Sequence, residues 1–457
     1  MKDLTKGNIY KTFFLFGLPL VLSGLLSQAY GIVDTAIAGK FLGDKGLAAM
    51  GATAPLITFI SSVFWGLSSG FCIYIARLFA AKEYKKIKSA VYTMWLIMFI
   101  ACIAVGVLFI ALHNPLFDLL KIEEGLRETA FDYFSVYVIG LFPIIITVHA
   151  VHLLNAFGIG SFPFVMSLLS AVINVSGNIL SVVVLKMGVE GLALSSVLSA
   201  SIVCVCYYFK FRGCLKEMGV DKERVRLGVR YLKNAAPFAI PNMTQQAIMY
   251  FAALAISPLV NGLGVAATAS YSVVMRVYEL NTSVYHNSTR APTNYAAQCT
   301  GQKQYDKIKK GVFVGLLQSV ALTTPFVLAC VIFHKPVCSL FFKADADAMT
   351  KEYAYIFARQ YLPFIYLQIV CNLFHGLFRG VKATGHLFAS TFTGAAAQYL
   401  LSALLIPSMG MSGFYLGWIL AWAIEAVLCF VLFFLDGWNP AHTDPDYPQK
   451  EIKSANA

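Results

Sequence analysis

Residues Tyr10–Gly39 read Y-K-T-F-F-L-F-G-L-P-L-V-L-S-G-L-L-S-Q-A-Y-G-I-V-D-T-A-I-A-G. From Phe13 to Ala38 the run carries one formal charge, Asp34. As a helix it is long enough to cross the roughly 30 Å hydrocarbon core of a bilayer. A lone carboxylate at that depth is costly unless it meets a partner, water or an ion, so Asp34 is a functional-site candidate.

Runs of this kind fill the chain. Of its 457 residues 58% are hydrophobic and 13% charged, where a soluble domain has about 25% charged. The apolar material lies in separate, unbroken runs, unlike the short alternating strands of a β-barrel. The fold class read here is an all-α polytopic membrane protein with 12 transmembrane helices in two six-helix lobes. The spans are 13–38, 48–76, 91–112, 131–156, 162–185, 190–210, 235–258, 265–289, 311–333, 354–378, 386–406 and 412–435. Residues 1–210 form the N-terminal lobe and 211–234 a basic cytoplasmic linker. Residues 235–436 form the C-terminal lobe and 437–457 a polar tail.

Charge sets the orientation. Of the 35 Lys and Arg, 25 fall in segments assigned to the cytoplasm, Lys2, Lys450 and Lys453 among them. Eight fall on the opposite side, including Lys121 and Lys343. The bias puts both termini in the cytoplasm, and the expected location is the plasma membrane, as a multi-pass protein, the inner membrane in a prokaryote. The net charge of +12 then addresses lipid head groups, not nucleic acid. The ten cysteines are scattered, mostly through apolar runs, and read as small buried hydrophobes.

The two halves echo each other. Leu18-Pro19-Leu20 with Gln28 matches Ala236-Pro237-Phe238 with Gln246 at an offset of 218 residues. Gly46-Leu47-Ala48-Ala49 meets Gly264-Val265-Ala266-Ala267 at the same offset. Tyr84–Lys88 matches Tyr305–Lys309 after a three-residue shift, and Met187–Gly191 matches Met409–Gly413. A duplicated six-span unit keeps both copies in the same orientation, related by an axis along the membrane normal. A cleft between two such lobes is where alternating access places a substrate.

Asn174 and Asn178, in A-V-I-N-V-S-G-N-I-L of the fifth span, are i,i+4 and share a helix face. Their carbonyl oxygens can ligate a hard cation or accept from a protonated acid. Two amides joining neighbouring helices is the plainer alternative. With Ser195 of the sixth span, where Ser196 and Ser199 are further candidates, they complete an ion-coupling set of Asp34, Asn174, Asn178 and Ser195. Gln28, Tyr30, Gln245, Gln246, Arg276 and Glu279 are the candidates for the substrate cleft, although Arg276 and Glu279, at i,i+3, can also neutralise each other. Ala252 stands where the repeat would place a second Asp34, so coupling is expected in the first lobe alone. His149 and His152 have no further ligands for a metal at their spacing. Glu425 is a lone acid in a very apolar run, and His375 and Arg379 read as markers of the membrane interface.

No G-x-x-x-x-G-K-[ST] or H-E-x-x-H motif occurs. No soluble stretch is long enough for a catalytic domain. The chain therefore reads as a transporter driven by an ion gradient, not an enzyme.

The first-span motif ending in V-D-T-A-I-A-G, the tandem halves and the Asn174/Asn178 pair resemble the multidrug and toxic compound extrusion (MATE) transporters. That family lies in a larger superfamily of multidrug, oligosaccharidyl-lipid and polysaccharide exporters. The resemblance covers about residues 8–436. It implies an antiporter that exports amphipathic, cationic organic compounds in exchange for H+ or Na+, with no cofactor. The family's first-span acid falls on Asp34 and its fifth-span polar pair on Asn174 and Asn178, where sodium is held if sodium is the ion. In archaeal relatives the second of that pair is an acid. One branch also has acids in spans seven and ten, where this chain has Gln245 and Gln246 and no acid in the core of span ten. The implied partners are a small amphipathic organic substrate and membrane lipid, without nucleic acid, and the implied state is a monomer. The alternative from the same superfamily is a flippase for a lipid-linked saccharide or an exporter of another metabolite.

Overall fold

The computed structural model describes residues 3–120, 122–342, 347–442 and 444. Lys2, Lys121, Lys343, Lys450, Lys453 and most of the polar tail expected over 437–457 lie outside the described residues. Among the described residues all regular structure is helical. The helices are α1 (Ile9–Ile37), α2 (Gly43–Ala80), α3 (Tyr84–Ala111), α4 (His113–Leu119), α5 (Glu124–Ile139), α6 (Leu141–Ala156), α7 (Ser161–Asn178) and α8 (Val189–Glu217). They continue as α9 (Val229–Asn261), α10 (Val265–Ser288), α11 (Arg290–Gly301), α12 (Asp306–Ile332), α13 (His334–Ser339), α14 (Ala348–Ile356), α15 (Ile365–Val381), α16 (Thr384–Met409) and α17 (Met411–Phe434).

Among the described residues ten spans are long and apolar enough to cross a membrane, or up to eleven with α5 and α6 taken as one span bent by 53°. The expected eighth span is α10. It falls outside that set, and it carries Arg276, Glu279, Asn281, His286 and Asn287. The lipid-facing logic is visible in α3. Val91, Met94, Met98 and Cys102 are buried at helical spacing, while Phe99, Ile103 and Val107 are exposed. An apolar face turned outward on a helix whose backbone bonds are all internal suits hydrocarbon and not water.

The chain divides into two compact units. Unit 1 holds Leu22–Met243, and unit 2 holds Asp3–Val21 with the chain from Thr244 onward. In unit 1, α2 packs on α5 and α6, and α7 on α8. Phe117, Phe134 and Val138 form one of its cores with Ala49 and Leu56. Gly66 and Gly70 of α2 let the start of α9 approach backbone to backbone. A Cβ on Gly66 would lie 2.7 Å from Asn242 O, and one on Gly70 2.4 Å from Phe238 O.

In unit 2, α16 pairs with α17, α11 with α15, and α10 with α12. The first half of α1 is built into this unit. Phe13 meets Tyr295 edge-on with ring centroids 5.2 Å apart. Gln318 Nε2 donates to Phe13 O at 2.9 Å, and Leu4 N donates to Gln298 Oε1 at 2.8 Å.

The expected linker over 211–234 is shorter in the fold. Helix α8 continues to Glu217 and α9 begins at Val229, leaving 218–228 between them. The chain passes from one unit to the other inside α1 and α9, not in that connection. A basic loop marks where the chain leaves the apolar slab, whereas unit membership follows packing.

Candidate functional site

Asp34 sits in the last turns of α1, which runs directly into a π-helical turn at Ala38–Leu42. Asn178 is the last residue of α7, and a second π-helical turn follows at Ile179–Val184. The two turns pack against each other, with Ala38, Val182 and Leu192 in one small apolar cluster. Such widened turns inside helices occur often at functional sites.

Between these turns lies a chain of polar side chains. Asn178 Nδ2 donates to Asp34 Oδ1 at 2.6 Å and to Asn174 Oδ1 at 3.3 Å. Asn174 Nδ2 in turn donates to Ser196 Oγ at 3.1 Å. Asn174 and Asn178 are 2% and 0% exposed. Asp34 is partly exposed. Asn178 Oδ1 is buried and has no hydrogen-bond partner among the described residues.

The serine that Asn174 reaches is thus Ser196. Ser195 faces the other way round α8: its hydroxyl donates to Gly191 O at 2.8 Å and lies 3.2 Å from Ser181 Oγ. Ser181 ties back to Asn178 through the Asn178 carbonyl at 3.3 Å. Gly177 lets α8 come this close, since a Cβ there would lie 3.0 Å from Ser195 Cβ and Oγ.

Tyr30 and Tyr133 lie within electrostatic reach of Asp34, with Tyr137 beside both. Sequence reasoning named Tyr30 but missed Tyr133 and Tyr137. Their i,i+4 spacing in the fourth span was the available signal. Gln28, in unit 1, is half-buried.

Other candidates lie in unit 2. Gln245 is buried and donates from Nε2 to Thr391 Oγ1 at 3.1 Å. Gln246 is half-buried. Arg276 and Glu279 pair with each other at 3.7 Å. Glu425 has a partner that the sequence did not reveal: its Oε1 lies 3.2 Å from His375 Nε2. His375 is buried inside the protein, 3% exposed. Among the described residues no three His, Cys, Asp or Glu side chains group as metal ligands.

The comparisons with known proteins agree on the class. A probable multidrug resistance protein of Bacillus subtilis, YoeA, is 23% identical over 346 residues, covering 74% of each chain. The FAD transporter of Shewanella oneidensis is 22% identical over 361 residues, 75% of this chain and 77% of that one. A solved outward-facing multidrug resistance MATE family transporter of the MOP superfamily superimposes with a TM-score of 0.84. It is 18% identical and covers 94% of this chain and 96% of its own. That likeness establishes the fold, 12 helices in two lobes. The family model MatE matches residues 19–180 and 241–404, once in each half. On that match the chain belongs to the MatE family, whose members are membrane transporters of small organic molecules and not enzymes.

Proposed function

We propose that this chain is a secondary antiporter of the cell membrane, with both termini in the cytoplasm. It exports amphipathic organic compounds, cationic ones included, in exchange for a proton taken up at Asp34. The observation that carries the reading is the 2.6 Å bond from Asn178 Nδ2 to Asp34, beside the unpartnered Asn178 Oδ1. An ionised Asp34 accepts, and the amide supplies the donor. A protonated Asp34 becomes a donor and needs an acceptor. Asn178 carries one that is buried and free. The pair is therefore equipped for both protonation states of one carboxyl. Sodium, which draws on more oxygens, is the second ion to test.

The adjoining π-helical turns supply the moving part of the proposal. Conversion of such a turn to α-helix changes the register by one residue, which rotates the rest of the helix by about 100°. Proton uptake at Asp34 would bias that change. Exchange then requires that proton and substrate favour different conformations of the transporter.

The test is exchange flux in proteoliposomes with a cationic dye, imposing pH and sodium gradients separately. Wild type is expected to move dye under one gradient, and Asp34→Asn to lose that driven flux. Equal driven flux in the variant would remove Asp34 from the coupling role. A second reading is the export of a lipid-linked saccharide or another metabolite. It is favoured by the relative named as a FAD transporter. Folded protein that moves no dye under either gradient would support it.

A further inference from the structure

In unit 2 the place that the repeat matches to Asp34 holds Ala252. The unit nevertheless buries a titratable pair of its own. Helices α15 and α17 meet in two polar rungs. Cys371 Sγ donates to Trp422 O at 3.7 Å, and one turn further on Glu425 Oε1 lies 3.2 Å from His375 Nε2. The carboxyl is pressed into a notch of α16, where Gly394 presents no side chain to it. The His375 and Glu425 side chains are 4% and 9% exposed. Nε2 is sealed from solvent and lies off the line of a hydrogen bond to the carboxylate. As a tie between helices the pair is a poor choice, since well-packed apolar side chains of similar volume hold as firmly as a buried ion pair. Ionisable side chains at membrane depth mark a functional site by default.

The titratable and charged groups round the pair come from a few helices. Cys371 and Arg379 stand one turn either side of His375 on α15, and Cys429 one turn beyond Glu425 on α17. Tyr278 and Tyr285 of α10 are within electrostatic reach of Glu425, and His286 of His375. Helix α11 adds Arg290, within reach of Arg379. Helix α12 carries no titratable side chain from Gly311 to Ala329, nor α16 from Leu387 to Gln398. The turn at Phe357–Tyr361 meets α17 at Tyr415, about three helical turns from Glu425.

We propose that His375 and Glu425 form a second proton site, in unit 2, so that each exchange cycle carries two protons and not one. Uptake places a proton from water on the imidazole, giving imidazolium beside carboxylate. Release returns that proton to water and leaves neutral imidazole. Both partners are needed, because the carboxylate offsets the charge that the imidazole gains. Two protons entering against one monovalent cation leaving move one net charge inward, whereas one proton against one cation moves none. The proposal rests on the antiport reading above and sets its stoichiometry.

The experiment uses the full chain in proteoliposomes under a fixed pH gradient. Valinomycin and potassium set the membrane potential, ethidium is the monovalent probe, and protein-free vesicles give the blank. In wild type, each step of about 59 mV, negative on the cytoplasmic side, is expected to raise the final ethidium ratio about tenfold. Glu425→Gln and His375→Gln should keep pH-driven exchange and lose its dependence on potential. If a single variant is not monodisperse, His375→Ala with Glu425→Ala, which leaves no unpaired partner, must show the same loss. A wild type blind to potential, or variants that respond as wild type does, would overturn the site.

A second measurement needs no flux. Infrared difference spectra of wild type between about pH 5 and about pH 8 should contain imidazole bands that vanish in His375→Gln and carboxylate bands that vanish in Glu425→Gln. Absence of both sets overturns the site whether or not ethidium is carried. Both sets present in a wild type that no gradient drives would uphold the site and overturn the antiport reading instead.

Discussion

Asn178 gives its amide to Asp34 at 2.6 Å, joining two helices at the points where each enters a π-helical turn. Loss of one partner of a charge-assisted bond exposes the other to the cost of an unpaired buried group. Asn178→Ala is therefore expected to lower gradient-driven flux about tenfold or more. Asn174→Ala, one bond further from Asp34, should lower it less, and Ser196→Ala least. The check is flux per reconstituted molecule. Equal falls in all three would point to a general loss of fold and not to a graded chain.

Gly66 and Gly70 face the backbone of α9, which cannot turn aside as a side chain can. Gly66→Ala and Gly70→Ala should each cost roughly 1–3 kcal/mol by overpacking. Gly51, on the same helix with nothing within 4 Å of an added Cβ, is the control, and Gly51→Ala should change stability by less than about 0.5 kcal/mol. Thermal unfolding in detergent reads the difference. Three equal melting points would show that α9 does not depend on this approach.

His375 and Glu425 are 3% and 7% exposed, and the Glu425 carboxyl also lies against Gly394, where a Cβ would be 2.5 Å from its carbon. Removing one member of such a pair leaves an uncompensated group and costs about 3–5 kcal/mol. His375→Ala should therefore destabilise more than His375→Ala with Glu425→Ala together. A double-mutant cycle measures this. Simple additivity would mean that the two side chains are energetically independent.

The connection 218–228 is tied to α3. Lys88 Nζ donates to the carbonyls of Asp221 and Glu223 at 2.6 and 2.7 Å, and Lys85 pairs with Glu223 at 2.8 Å. The hydrogen bond and charge of Lys85 hold the Glu223 carboxyl below its ordinary value. A folded value below the unfolded one, which is about 4.3 for glutamate, contributes stability above that pH. The contribution is lost as pH falls through the folded value. Amide exchange of 218–228, corrected for its intrinsic pH dependence, should be slow at neutral pH and faster by about pH 3. Lys88→Met should make it fast at both. Exchange that ignores both changes would detach this connection from α3.

Much of this protein was legible as a string. Helix positions followed from the length of apolar runs, and Asp34 from being the lone charge in one of them. Asn174 and Asn178 followed from spacing on a single helix. The choice of Ser196 over Ser195 was not legible, because neighbours on a helix point about 100° apart. That choice depends on how α8 is turned where it meets Gly177. The partner of Glu425 was hidden for the same reason.

The sequence by itself determined that the chain is a duplicated helical membrane protein with its sharpest candidate at Asp34. Hydropathy and helical period belong to each residue and its near neighbours, so they survive without a fold. Tertiary structure alone decided which side chains meet: Asp34 with Asn178, Glu425 with His375, the first half of α1 with unit 2. Those pairings depend on the rotation and depth of each helix about its own axis, which packing sets.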